Sequence, residues 1–130
     1  MEVLMTDYIG EPLHLPNGNT ITAISVEPRR YLGTHTYVSM GGATQEKRYG
    51  AQAVLRAVVP GEPDAYLVVR RYEGAESRWF PATQEMLREE YDRWDGRETR
   101  PNASSIHLGW RLEEWLNKVL EEAQRSSARR

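Results

Sequence analysis

Apolar and polar side chains alternate along short stretches of the first two thirds of the chain, as they do in strands that bury one face. Residues 51–59 place Leu55 on a wholly apolar face, and residues 65–73 repeat the alternation with Leu67. The five residues between these runs, PGEPD, are short enough to indicate a hairpin. A further short strand around residues 78–80 would complete an antiparallel meander of three strands.

A second hairpin is predicted nearer the start of the chain. The Asn-Gly pair at residues 17–18 lies between two β-rich runs within residues 13–27, and both residues tolerate the positive φ of a tight turn. Pro28 is expected to end the second of these strands, because proline lacks a backbone N–H. Residues 34–40 then form another strand candidate, which two glycines end.

Helical periodicity replaces alternation in the last third. Residues 83–95 begin at a plausible N-cap, Thr83, and stop at Gly96, while residues 105–123 begin near Ser104 or Ser105. On the second helix the apolar residues occupy one arc of about 140°. Its members are Leu108, Leu112, Trp115, Leu116, Val119, Leu120 and Ala123.

These elements predict an α+β fold. We expect a single two-layer domain over residues 1–124, with an antiparallel sheet of about five strands and two helices, near 83–95 and 105–123, on one face. Residues 125–130 are expected to be a frayed tail. A chain of 130 residues has room for one such core and not for two.

Composition narrows the possible functions. The chain has no cysteine, which excludes disulfides, thiolate metal sites and thiol catalysis. Its net charge of −2 lacks the positive excess of a general DNA-binding domain. No stretch approaches the roughly 20 apolar residues of a membrane span, and the start does not resemble a secretory signal. We therefore expect a cytoplasmic protein with no membrane partner.

Few residues have the spacing of catalytic or metal-binding motifs. None of His14, His35 and His107 has a partner at the i+4 spacing of a helical metal site, so no metal and no cofactor are predicted. Glu90 lies among apolar positions of the first helix and is interpreted as an ion-paired or edge residue, with Arg56, Arg70 and Arg71 as available partners. A small enzyme using His35 or Glu90 for acid–base chemistry is the third hypothesis, and the protein is not expected to be an enzyme.

The leading hypothesis rests on the second helix. Trp110 lies on its polar side among Glu113, Glu114 and Asn117, and tryptophan is enriched at protein interfaces. These four residues are the predicted partner-binding site of a non-catalytic protein, an inhibitor or adaptor, that docks on another protein. The alternative for Trp110 is packing beneath residues 98–105. In size and arginine-rich, cysteine-free composition the chain resembles phage or mobile-element accessory proteins and immunity proteins, a resemblance that covers no motif.

The second hypothesis is a binder of nucleotides or single-stranded nucleic acid. Basic and aromatic residues recur between positions 29 and 49, and together they suit phosphate contacts and base stacking. The segment 41–50, GGATQEKRYG, lacks the second glycine and the hydroxyl of a phosphate-binding loop, and it is predicted to be a surface loop. The candidate residues are Arg29, Arg30, His35, Tyr37, Lys47, Arg48 and Tyr49.

Overall fold

The computed structural model describes residues 10–74, 78–82, 90, 92–98 and 106–128. Within them an antiparallel sheet precedes a C-terminal helix, so the predicted α+β class holds in its broad form. The elements are β1 (Leu13–His14), β2 (Thr20–Ser39), β3 (Gly42–Val58), β4 (Ala65–Tyr72), β5 (Trp79–Pro81), β6 (Gly96–Glu98), β7 (Ile106–Leu108) and α1 (Trp110–Ala128).

Strands β1 to β5 form one five-stranded meander in which each strand pairs antiparallel with the next along the chain. Both predicted hairpins are confirmed. The first turns at Gly18, whose φ of 95° requires glycine and whose N–H donates to the Leu15 carbonyl at 3.0 Å. Strands β6 and β7 make a separate two-stranded sheet.

The prediction that Pro28 ends a strand is wrong. β2 continues through Pro28 to Ser39, because the pairing register shifts between Glu27 and Arg30 and leaves the proline in an irregularity. The expected strand at 34–40 is therefore the far half of β2. The expected surface loop at 41–50 is the first part of β3, which begins at Gly42 after a two-residue turn.

The helices differ from the prediction more than the strands do. Most of the first predicted helix, residues 83–89 and 91, lies outside the described residues. Residues 92–95 are in a turn rather than a helix, since Asp95 has a φ of 51°, which no α-helix accommodates. The described residues thus contain one α-helix where two were expected.

The second predicted helix begins later and ends later than expected. Residues 106–108 pair with β6 as a strand, and α1 starts at Trp110. The helix then runs to Ala128, so residues 125–128 are helical rather than a frayed tail. Residues 129–130 lie outside the described residues.

The core lies between α1 and one face of the sheet. The apolar stripe of the helix is confirmed, because its residues are all buried against that face, and Trp79 and Trp94 are almost fully enclosed beside them. Leu108 is buried too, although it belongs to β7. The face of the sheet that carries α1, with Ala53, Leu55 and Val69, is called the helix face below, and the opposite one the outer face.

Candidate functional site

A two-stranded projection extends from the sheet. Beyond the pair Gly50–Tyr72, β4 no longer lies beside β3, and β1 pairs only with Thr20 and Ile21 of β2. Residues 29–49 therefore form a two-stranded ribbon, called here the arm. Over most of this ribbon, β2 and β3 pair with each other and with no other described strand. Both edges of the arm consequently carry backbone groups without a strand partner among the described residues.

The end of the arm is exposed and apolar. Every side chain from residue 34 to residue 47 is exposed. At the turn, Val38 is 85% exposed and Met40 is fully exposed. Aliphatic side chains presented this completely on a projecting hairpin have no role in the core of the described residues.

The outer face of the arm carries four of the predicted nucleotide-site residues. These are Arg30, His35, Tyr37 and Arg48, placed on one side by the cross-strand register. The Tyr37 hydroxyl donates to Glu46 Oε1 at 2.6 Å, and the His35 and Tyr37 rings lie 4.7 Å apart. The Arg48 guanidinium is 5.9 Å from the ring of Tyr72 in the neighbouring strand.

The other three residues lie on the helix face of the arm. They are Arg29, Lys47 and Tyr49, and the Arg29 guanidinium lies 4.3 Å from the Tyr49 ring, a cation–π distance. Arg29 Nε also donates to Glu73 at 2.8 Å. All seven predicted residues thus lie on one element, although the strand alternation divides them between its two faces.

A cleft of about 690 Å³ opens where the arm leaves the sheet, beside the edge of β3 that β4 no longer covers. Its lining joins three cations, two carboxylates and three aromatic rings. The lining residues are Arg29, Glu46, Lys47, Arg48, Tyr49, Tyr72, Glu73, Gly74 and Phe80. A volume of this size falls within the range of small-molecule sites.

The cations of this region differ in how they are engaged. Arg29 pairs with Glu73 at 2.8 Å, and Arg30 pairs with Glu27 at 3.0 Å. By contrast, Lys47 makes no ion pair and no hydrogen bond with the described residues. Arg48 makes no hydrogen bond with them either, and its Nε lies 4.0 Å from Glu46. Lys47 is therefore the cation of the cleft without an ion pair among the described residues, whereas Arg48 forms a long ion pair with Glu46 at 4.0 Å and lies 5.9 Å from the Tyr72 ring.

The predicted helix site is only partly presented to solvent. Trp110 is 63% exposed, with the Arg111 guanidinium 5.3 Å from its ring, and Glu114 is exposed. Glu113 is mostly buried and pairs with Arg78 at 3.2 Å.

Asn117, the fourth residue of that site, faces into the protein. Its Oδ1 accepts from Trp79 Nε1 at 2.8 Å and from Arg71 at 3.2 Å. The predicted helix site therefore combines two solvent-facing residues, Trp110 and Glu114, with Glu113 and Asn117, whose side chains bind other parts of the chain.

Glu90 is half-buried and pairs with Arg93 at 3.5 Å. This matches the ion-paired, edge position predicted for it, although the partner is a neighbour in sequence rather than an arginine of the sheet. Arg70 donates instead to Gln52, and Arg71 to Asn117.

The outer face of the main sheet was not predicted as a site from the sequence. Register places Arg56 beside Tyr66 and Arg70 beside Phe80 on this face. The alternation of β3 was sufficient to predict this face. Because Ala53, Leu55 and Ala57 face inward, residue 56 and its cross-strand neighbours must face outward.

Comparisons of the chain with protein-family models, with curated proteins and with solved structures found no match. No helix among the described residues is long and apolar enough to cross a membrane. In the same residues no group of three or more His, Asp or Glu side chains is arranged to hold a metal ion.

Proposed function

We propose that the protein acts by docking on another protein, and that the arm is its main docking element. The observation that carries this proposal is the arm's geometry: a two-stranded ribbon with both edges unpaired among the described strands and with Val38 and Met40 exposed at its end. Exposed edges and apolar ends favour association, because a partner strand can complete the hydrogen bonding and a partner surface can bury the aliphatic groups.

Energetics support an external role for the arm. A two-stranded hairpin without a covering layer is marginally stable in water. Burying the Val38 and Met40 side chains in a partner would contribute up to about 1.5–3 kcal/mol each. The arm therefore contributes more free energy of stabilisation to a complex with a partner than it contributes to the isolated fold.

Charge specifies the kind of partner. The arm has four basic residues and one acidic residue, a net charge of +3, and since the whole chain carries −2, the remaining residues carry −5. A complementary partner has a groove with an apolar floor, which receives the tip of the arm. The rim of this groove is acidic and faces the positively charged residues where the arm joins the sheet. A protein surface fits better than nucleic acid, because the tip is apolar and Arg29 and Arg30 are already paired with carboxylates.

The test compares the wild-type protein with the double variant Val38→Ser/Met40→Ser. Each is used to capture proteins from the native host, and the captured protein is then purified and its affinity measured directly. We expect the double variant to bind at least tenfold more weakly, while Val58→Ser, which alters an exposed aliphatic residue outside the arm, binds as the wild type does. Equal affinity of the double variant would overturn the proposal, as would a second copy of this chain or a nucleic acid as the bound species.

The exposed part of the helix site remains a second docking candidate. The 63% exposure of Trp110 at the start of α1 favours it, with Glu114 exposed one turn further on. We further propose that the docking protein works as an inhibitor or adaptor in the cytoplasm. The small size and the arginine-rich, cysteine-free composition of the chain support the inhibitor or adaptor part of this proposal.

A further inference from the structure

We propose that the cleft at the base of the arm binds a nucleotide, with the phosphate held at Lys47 and Arg48 and the base against the aromatic part of the lining. This ligand site lies apart from the docking tip at Val38 and Met40, although it shares Lys47 and Arg48 with the basic end of the arm that would face an acidic partner. Nucleotide binding is measured on the isolated protein, so its outcome does not depend on the docking function. Three features favour such a ligand: two cations without hydrogen bonds to the described residues, the strand edge between them, and the aromatic rings beside them.

The two cations flank one strand edge. Because side chains alternate along β3, Lys47 and Arg48 leave the strand on opposite faces, yet both line the same cleft. The cleft therefore wraps around the β3 edge, and an anion placed there is within reach of an ammonium from one side and a guanidinium from the other. Among the described residues neither group makes a hydrogen bond, and the ion pair of Arg48 with Glu46 is long, at 4.0 Å, so a phosphate can compete for this guanidinium.

The backbone of this edge adds a donor. The Tyr49 carbonyl accepts from the Glu73 N–H at 3.0 Å, so the main-chain groups of Tyr49 point towards the side where β4 lies. Alternation places the N–H of Lys47, two residues earlier, on the same side, where β4 has ended and no other described strand pairs with β3. A backbone N–H beside two cationic side chains is a suitable arrangement for phosphate oxygens.

The aromatic lining selects among phosphate compounds. Tyr49, Tyr72 and Phe80 all line the cleft, and Arg29 lies against the first of these rings. Stacking on such rings favours a planar base over a bare phosphate or a sugar phosphate. The carboxylates Glu46 and Glu73 also line the cleft, and they suit the amino and imino donors of a base better than they suit a second phosphate.

Calorimetric titrations test the site with defined probes: ATP, adenosine, inorganic phosphate and a single-stranded oligonucleotide. We expect saturable ATP binding that weakens at higher salt, and a loss of at least tenfold in affinity for Lys47→Gln/Arg48→Gln. The matched control Lys118→Gln removes an exposed lysine of α1 and is expected to bind ATP unchanged. Tyr72→Leu is expected to weaken ATP binding more than phosphate binding.

The oligonucleotide distinguishes the source of the nucleotide. Tighter binding of the strand than of ATP, lost in the same double variant, supports the site with a nucleic acid as its ligand, whereas preference for ATP supports a free nucleotide. The proposal would be overturned if neither ATP nor the oligonucleotide bound at millimolar concentration. It would also be overturned if Lys47→Gln/Arg48→Gln, with the wild-type circular dichroism spectrum, bound as tightly as the wild type. Equal affinity for ATP and inorganic phosphate would overturn it as well.

Discussion

The backbone carbonyl of Asp95 accepts a hydrogen bond from the N–H of Gly109, and the Asp95 carboxylate accepts a second one from the N–H of Leu112 at 3.3 Å. The same carboxylate pairs with Arg111 at 3.1 Å. One residue therefore joins the end of the turn before β6 to the start of α1 and satisfies a backbone N–H in the first turn of the helix. This cap comes from a residue distant in sequence.

Gly109→Ala is expected to destabilise the fold by several kcal/mol, because an added Cβ would collide with the carboxylate and the carbonyl of Asp95. Urea denaturation of the purified variant measures the change. Gly41→Ala provides the control, since its Cβ would meet no atom within 4 Å, and we expect its stability to stay within about 0.5 kcal/mol of the wild type. Similar midpoints for the two variants would show that the Asp95–Gly109 contact is not tight in solution.

Asn117→Ala is expected to lower the free energy of unfolding by about 1–3 kcal/mol, because it leaves the indole N–H of the buried Trp79 without an acceptor. Asn117→Asp keeps an acceptor for Trp79 and for Arg71, and it should lose less stability than the alanine variant. Thermal denaturation distinguishes these outcomes. If Asn117→Ala retained full stability but bound a partner more weakly, Asn117 would belong to the docking surface, as the sequence suggested.

The variant Trp110→Ala tests whether the partner docks on the start of α1 or on the arm. Since the side chain is 63% exposed, we expect stability to change by no more than about 0.5 kcal/mol. If Trp110 anchors the partner, affinity should fall by about 2 kcal/mol, roughly thirtyfold. If the arm alone docks, affinity stays unchanged. A loss of stability without any loss of binding would instead show that Trp110 packs within its own chain, beneath residues 98–105.

Glu90→Gln is expected to preserve the fold and to change binding only slightly, because the half-exposed carboxylate forms an ion pair at 3.5 Å with Arg93, and such partly exposed pairs contribute about 0–1 kcal/mol. Circular dichroism and a binding assay check both parts. A variant with the wild-type spectrum and no remaining function would identify Glu90 as a functional acid.

Burial on one face is what made much of the fold predictable from sequence. Leu55 and its alternating neighbours are buried beneath α1, and the helical spacing of Leu112, Leu116 and Val119 was sufficient to identify the stripe that covers them. The Asn-Gly pair determined the first hairpin in the same local way. These features follow from the sequence because each depends on a periodicity or a turn within a few residues.

Other features were decided only by tertiary structure. The arm is exposed on both faces, so its strands lack the alternation that marks a half-buried strand, and its pairing continues past Pro28 only because a register shift accommodates the proline. The start of α1 depends on Asp95, fourteen residues before Gly109 in the chain. The cleft forms because β4 ends while β3 continues, which brings residues near positions 29, 48 and 72 together. Contacts between residues so far apart leave no local pattern, and the sequence by itself could not show them.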